Sequence, residues 1–101
     1  MEISQELRAE LRWRILQSLE AGGSIGCSIE VLAQMLRRFA PNRSTLLMQL
    51  YYLQEKGLLE IGEDKFTQFA KLTAGGIDVV EGAVPCPAGI GRPEDLDGTS
   101  I

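Results

Sequence analysis

Few side chains of this chain are suited to catalysis. It contains no histidine, and its two cysteines, Cys27 and Cys86, lack the closely spaced partner ligands that a zinc site requires. No serine or cysteine lies in a nucleophile motif, and the glycine-rich stretch at 22–26 has no lysine for a phosphate group. Two cysteines are also fewer than a disulfide framework would show. We therefore expect two reduced thiols and no enzyme activity, metal ion or cofactor.

The distribution of charged side chains is more informative about binding partners than the catalytic residue types are. Residues 37–56 hold four basic residues against one acidic residue, a local excess that suits contacts with phosphate groups. The net charge of the whole chain is −4, and it arises in residues 76–101, where five acidic residues oppose one arginine. Residues 1–75 are balanced, so the total charge neither favours nor excludes a nucleic-acid partner.

These residues must be positioned by the elements that the apolar periodicity predicts. Leucines and isoleucines at spacings of three and four indicate helices over residues 5–20, 29–38 and 43–56, and a weaker, glycine-containing helix over 74–81. Alternation predicts strands at 58–61 and 65–72 around a turn at 62–64, and the apolar segment 24–27 suits one β-bridge. The fold class is therefore mainly α with a small β-hairpin, of the α+β type. The predicted core consists of Leu7, Leu11, Ile15, Leu19, Leu32, Leu36, Leu46, Leu50, Leu53, Ile61, Phe66 and Leu72.

The composition changes after residue 82. The segment GAVPCPAGIGRPEDLDGTSI is rich in glycine, proline and acidic residues and shows no apolar periodicity. It predicts a domain of residues 1–82 followed by an extended or disordered tail over 83–101. The charged N-terminus is unlike a secretory signal and no apolar run approaches the length of a membrane span, so we expect a cytoplasmic protein without a membrane partner.

Two stretches of sequence carry a resemblance to known regulators. NRSTLLMQLYYLQEKGLLEI resembles the third helix and first wing strand of the bacterial ArsR and MarR families, and KLTAGGIDVVEG resembles their return from the wing to the last helix. With its PAGIGRP ending at 87–93, the chain is similar more narrowly to small winged-helix proteins of Mu-like prophages. The resemblance covers nearly the whole chain. It implies a winged helix-turn-helix fold and a phage or prophage protein that binds DNA in the manner of a transcription regulator.

Three departures from the regulators bear on function. The metal-binding cysteines and histidines of the ArsR family are absent, and no long C-terminal dimerisation helix follows the wing. Leu47 and Met48 occupy positions where those regulators carry polar or basic residues. Metal sensing is therefore not expected.

The resemblance implies that the third helix enters the major groove of double-stranded DNA and that the wing contacts the backbone. On that helix Arg43 suits guanine, Gln49 suits adenine, and Thr45 or Met48 suits a thymine methyl group. Basic side chains nearby suit phosphates, although helix-dipole stabilisation and plain solvation explain them equally well. One neutral module makes few phosphate contacts, so a homodimer is expected. The predicted DNA-binding residues are Arg37, Arg38, Arg43, Ser44, Thr45, Met48, Gln49 and Lys65.

An alternative function follows from apolar side chains that the helical spacing places outward. Leu47, Met48 and Tyr51 would be costly to expose to water, which is typical of a protein interface. They would serve a homodimer, or an adaptor that binds a phage or host protein without binding DNA. A one-residue shift of helical phase would instead place part of this cluster in the core. The alternative interface comprises Leu47, Met48, Tyr51, Tyr52 and Trp13.

The first helix offers the other long surface. Trp13 lies beside its leucine and isoleucine stripe, so we interpret it as core edge or dimer contact. The basic residues of this helix alternate with Glu6 and Glu10, which predicts a solvated face. Those basic residues are Arg8, Arg12 and Arg14.

Overall fold

The computed structural model describes residues 4–92. Within them the chain forms an α+β fold of four helices and one small antiparallel sheet, which confirms the predicted class. The helices are α1 (Gln5–Gly22), α2 (Ile29–Met35), α3 (Arg43–Glu55) and α4 (Ala74–Glu81). The strands are β1 (Cys27–Ser28), β2 (Leu59–Glu63) and β3 (Gln68–Leu72), and one 3-10 turn (Gly23–Ile25) precedes β1.

Side-chain caps explain where most of the helices begin. Ser4, Ser28 and Thr73 each accept a hydrogen bond from the backbone N–H three residues later, at 3.1–3.2 Å. Asn42 occupies the predicted N-cap position of α3, but its side chain makes no capping bond. None of the helices within residues 4–92 is both long and apolar enough to cross a membrane.

The sheet has the strand order β1-β3-β2. β2 and β3 pair over five positions, with Ile61 opposite Ala70, and β1 adds two residues on the other side of β3. The outer edge of β2 lies against α3, because Gln54 Oε1 accepts a hydrogen bond from Ile61 N at 2.8 Å. A side chain that occupies an edge N–H group protects the strand from pairing with other chains.

The core lies where α1 and α3 pack on each other and on the sheet. Each fully buried leucine or isoleucine there stabilises the fold by about 1.5–3 kcal/mol. Two of the predicted core residues, Ile61 and Leu72, are only partly buried. The prediction is confirmed for Leu11, Ile15, Leu19, Leu32, Leu36, Leu46, Leu50 and Leu53. Further core residues that the periodicity did not identify include Leu58, Leu59, Ala70, Val79 and Ile90.

The tip of the hairpin differs from the prediction. Its turn lies at residues 64–67, not at 62–64. Gly62 belongs to β2, where it pairs with Phe69 of β3. A Cβ at position 62 would lie 2.8 Å from Phe69 Cζ, so glycine leaves room for this ring. Asp64 forms the turn instead, since its Oδ1 accepts the backbone N–H groups of Phe66 and Thr67, each at 2.9 Å. The prediction that Phe66 is a core residue is therefore wrong: its side chain is 90% exposed.

Two helices differ from the prediction. The buried face of α1 begins later than predicted, and α2 ends earlier. Leu7 is 54% exposed rather than buried, because the buried face of α1 begins only at Leu11. α2 ends at Met35 instead of residue 38, and the backbone leaves the helical region at Leu36. Residues 36–39 form turns instead, and Ala40 N donates a hydrogen bond to Leu36 O at 2.8 Å. Pro41 then disfavours the helical conformation at Ala40.

α4 has the predicted bounds but a different buried face. Ile77 is exposed, whereas Val79 is buried and Val80 is partly buried. The phase is set by Gly76, which is buried against the backbone of Leu58 and leaves no room for a larger side chain. The predicted packing of Ile77 is therefore wrong, and that of Val80 is confirmed.

Residues 83–92, here called the C-terminal strap, pack against the helices. Gly91 N donates a hydrogen bond to Ala9 O at 3.0 Å, and Ile90 is buried. Arg92 Nη2 donates to Val79 O at 3.0 Å, which ties the strap to α4. Backbone hydrogen bonds and one buried isoleucine therefore hold this extended segment against the helices, although it has no apolar periodicity. Residues 93–101 of the predicted tail lie outside the described residues.

Candidate nucleic-acid interface

α3 presents an exposed face on the side opposite its buried leucines. Ser44, Met48, Tyr51 and Glu55 lie on it, in the positions that a rotation of about 100° per residue predicts. Met48 is 67% exposed and Tyr51 is 48% exposed. Thr45 is half-buried beside this face. The face therefore offers two short hydroxyl side chains near its N-terminus and two large apolar ones in its middle.

Gln49 does not belong to this face. Its side chain is 5% exposed, and its Oε1 accepts a hydrogen bond from Arg12 Nε at 2.7 Å. The predicted contact of Gln49 with adenine is therefore a misassignment, because α1 already occupies the amide. Arg12 Nη1 also donates to Gly89 O in the C-terminal strap at 3.0 Å, and its Cζ lies 3.7 Å from the ring centroid of the half-buried Tyr52.

Arg12 is thus a buried link between α1, α3 and the strap, and the prediction that it lies on a solvated face is wrong. Burial lowers the pKa of Arg12 from its ordinary value. An arginine side chain nevertheless stays charged, so the site keeps a buried cation. Its hydrogen bonds and the ring of Tyr52 provide the compensation that such a charge requires.

The basic residues predicted to contact phosphates are exposed, but they differ in their surroundings. Arg37 and Arg38 lie in the turn that follows α2, not in the helix itself. Arg43 is the first residue of α3 and forms an ion pair with Glu30 of α2. Lys65 lies at the tip of the hairpin. Arg43 must therefore leave Glu30, or share it, before it can contact DNA.

An open cleft of about 360 Å³ separates the start of α3 from the hairpin tip. Glu30 and Arg43 line it on the helix side, and residues 63–68 line it on the hairpin side. Three carboxylates, those of Glu30, Glu63 and Asp64, face two cations, Arg43 and Lys65. The cleft therefore combines cations on both walls with a slight excess of negative charge.

The turn at the hairpin tip fixes one of these carboxylates. The backbone N–H groups of Phe66 and then Thr67 lower the pKa of Asp64. Its charge is consequently used to hold the turn, and Asp64 N closes the turn with a hydrogen bond to Thr67 O at 2.9 Å. The arrangement presents Lys65 and Phe66 to solvent.

The apolar cluster on α3 is smaller than predicted. Leu47 is half-buried and packs against the core, so only Met48 and Tyr51 of the outward cluster are exposed. Trp13 is buried, and the guanidinium carbon of Arg92 lies 5.6 Å from its ring centroid. Trp13 is therefore core, and its place in the alternative protein interface is a misassignment.

The two thiols have different environments. Burial raises the pKa of Cys27, which keeps its thiol protonated and poorly nucleophilic. Cys86 Sγ donates a hydrogen bond to Ile90 O at 3.3 Å within the strap. Among residues 4–92 no three histidine, cysteine, aspartate or glutamate side chains lie together in a way that could hold a metal ion.

Sequence reasoning missed the parts of this surface that depend on distant partners. Nothing local marks Arg12 as buried, and the exposure of Phe66 follows only from the true position of the turn. For Gln49 a signal did exist, because about 100° per residue places it only about 60° from Leu46, at the margin of the buried stripe. Comparison of the chain with protein-family models, curated proteins and solved structures found no match.

Proposed function

We propose that the chain is a winged helix-turn-helix protein that binds double-stranded DNA and acts as a transcription regulator. In this proposal α2, the turn at residues 36–42 and α3 form the helix-turn-helix, and the β2–β3 hairpin is the wing. The element order and the short turn between α2 and α3 support it. α3 enters the major groove, and the hairpin tip contacts the backbone or the minor groove.

The observation that carries the proposal is the cleft between α3 and the hairpin. It brings the N-terminus of the reading helix and the tip of the wing to the two sides of one open surface, with Arg43 and Lys65 on opposite walls. A strand of DNA backbone that lies in this cleft places phosphates between the two cations. Helix N-termini and basic side chains are the groups that bind phosphates most readily.

The contacts differ from those that the sequence alone suggests. Ser44, Thr45 and Met48 remain able to reach base edges, whereas Gln49 is held by Arg12. Because Gln49 cannot form two hydrogen bonds with an adenine, we expect α3 to recognise thymine methyl groups and the shape of the DNA more than the hydrogen-bonding groups of single bases. We therefore expect modest sequence preference from one copy and a homodimer as the unit that binds specifically.

Replacing both Arg37 and Arg38 by glutamine is expected to weaken binding to all duplex sequences alike. Each lost phosphate contact should reduce the slope of log affinity against log salt by about 0.9, so the double variant should lose roughly 1.8. Fluorescence anisotropy with a labelled pool of duplex fragments, titrated between about 50 mM and about 200 mM salt, measures this slope.

Two controls make this measurement decisive. An Arg14→Gln, Lys56→Gln double variant loses the same two charges away from the proposed surface and should keep the wild-type slope. Glu30→Gln should bind roughly fivefold more tightly, because it removes a carboxylate from the cleft and releases Arg43 for a phosphate. Equal binding by both double variants, or no binding by the wild-type protein at low salt, would contradict the proposed function.

One observation favours a second function, binding to another protein. Met48 and Tyr51 remain exposed at the centre of α3, and carboxylates rather than cations predominate in the adjoining cleft. Exposed apolar side chains with a polar rim are typical of protein interfaces. On this view the protein is an adaptor for a phage or host protein and does not bind DNA.

Met48→Asp is the variant that tests the adaptor function. A charge at the centre of an apolar interface should abolish capture of a partner on immobilised protein, a loss of roughly 100-fold or more in affinity. Met35→Asp is the matched control, because Met35 is an exposed methionine on α2 outside the α3 face. Loss of capture with both variants, or with neither, would count against an α3 interface.

A further inference from the structure

Phe66 is an aromatic side chain that the fold itself does not use. It is 90% exposed, whereas a phenylalanine stabilises a protein when it is buried. The backbone beneath it is nevertheless well held, because the carboxylate of Asp64 accepts the N–H groups of residues 66 and 67, each at 2.9 Å. A defined turn thus presents a large apolar group at the end of a narrow two-stranded ribbon.

The neighbours of Phe66 carry both signs of charge, and the lysine is the one next to it at the tip. Lys65 precedes it at the tip and is exposed. Glu63 lines the adjoining cleft as well, and Arg43 on the other wall is paired with Glu30. Asp64 directs its carboxylate toward the backbone of the turn. An exposed phenylalanine next to a lysine, at the end of a narrow ribbon, suits a groove in which stacked apolar groups are bordered by negative charge, and the minor groove of a DNA duplex has this chemistry.

We infer that Phe66 is a wedge that enters the minor groove of the DNA and inserts between two stacked base pairs. This inference rests on the DNA binding proposed above. Minor-groove proteins use apolar side chains in this way, partly unstacking one base step and kinking the duplex. Lys65 contacts the phosphate that borders the widened step. Pyrimidine–purine steps unstack most easily, so the wedge should prefer TA or CA steps. This preference arises from the cost of unstacking and not from hydrogen bonds to the bases.

The test uses a duplex with 2-aminopurine at a central TA step and a fluorophore pair at its ends. Wild-type protein should raise the 2-aminopurine fluorescence by unstacking and shorten the end-to-end distance by bending. Phe66→Ser should lose both signals and bind about 5-fold to 100-fold more weakly, since aromatic stacking on bases contributes effects of this size. Phe66→Leu, which keeps an apolar wedge, should retain most of the affinity and part of the bend.

A matched control separates a wedge from a general effect of removing an exposed apolar side chain. Ile25→Ser removes a side chain that is 86% exposed in the 3-10 turn before β1, outside the proposed DNA surface, and should leave DNA affinity and both fluorescence signals unchanged. Circular dichroism should show unaltered folding of Phe66→Ser, because the turn is held by Asp64 and the backbone and not by the side chain of Phe66. Unchanged affinity and signals with Phe66→Ser would overturn the wedge while DNA binding stands. If the wild-type protein does not bind the duplex at all, the proposed function fails and the wedge fails with it. Capture of a protein partner that depends on Phe66, without any DNA effect, would also overturn it.

Discussion

Replacement of Arg12 by alanine is expected to lower the free energy of unfolding by about 2–4 kcal/mol. The substitution leaves the amide of Gln49 buried without its donor at 2.7 Å, and the carbonyl of Gly89 without its donor at 3.0 Å. It also removes the cation that lies over the ring of Tyr52. Urea denaturation followed by circular dichroism measures the loss.

The half-buried neighbour Arg14 is the matched control for this prediction. Its guanidinium pairs with Glu10 one helical turn away and is 41% exposed, so Arg14→Ala should cost less than about 1 kcal/mol. A double variant, Arg12→Met with Gln49→Leu, should recover much of the loss, because it removes both side-chain partners and leaves only the carbonyl of Gly89 without its donor. A loss for Arg12→Ala no larger than that for Arg14→Ala would show that the buried link does not stabilise the fold.

The second large effect is expected at Gly76. A Cβ at this position would overlap the carbonyl oxygen of Leu58 and lie 3.0 Å from Leu72 Cδ2. The oxygen cannot move freely, because it accepts a hydrogen bond from Thr73 N at 3.1 Å at the start of α4. Gly76→Ala should therefore destabilise the protein by about 2–3 kcal/mol, measured as a shift of the urea midpoint at constant slope.

The preceding residue provides the opposite expectation. Gly75 is exposed in the same helix, and a Cβ there would make only ordinary contacts, the nearest at 3.5 Å from Gly57 O. Gly75→Ala should stabilise the protein by about 0.5–1 kcal/mol, because alanine is the better helix former. Two neighbouring glycine-to-alanine substitutions should thus change stability in opposite directions. Equal effects of both would contradict the close approach of α4 to Leu58.

The sequence predicts best the features that depend on residues close together in the chain. The spacing of Leu46, Leu50 and Leu53 indicates α3 and its outward face, and Ser4 and Ser28 indicate where α1 and α2 begin. Each of these signals is contained in about two helical turns or in one cap. They identify the helices and the exposed positions Met48 and Tyr51 without knowledge of any partner element.

The errors share a dependence on residues that are distant in sequence. Gly62 is predicted to lie in a turn because its pairing with Phe69 in the sheet is not visible in the local sequence. Arg12 and Gln49 are 37 residues apart, and each is an ordinary surface residue until they meet. The charge of the cleft likewise depends on the pairing of Arg43 with Glu30, which no local pattern predicts. Register, burial and ion pairing could therefore be learned only from the structure.

The contact between the strap and α1 has a consequence for the order of events during biosynthesis. Arg12 and Gly89 are separated by 77 residues, and the N–H group that bonds to Ala9 belongs to Gly91. A nascent chain emerges from its N-terminus and folds as a unit once its contacts are available. Arg12 therefore lacks its partner in the strap until residues 89–91 have left the ribosome, and the domain can close only then.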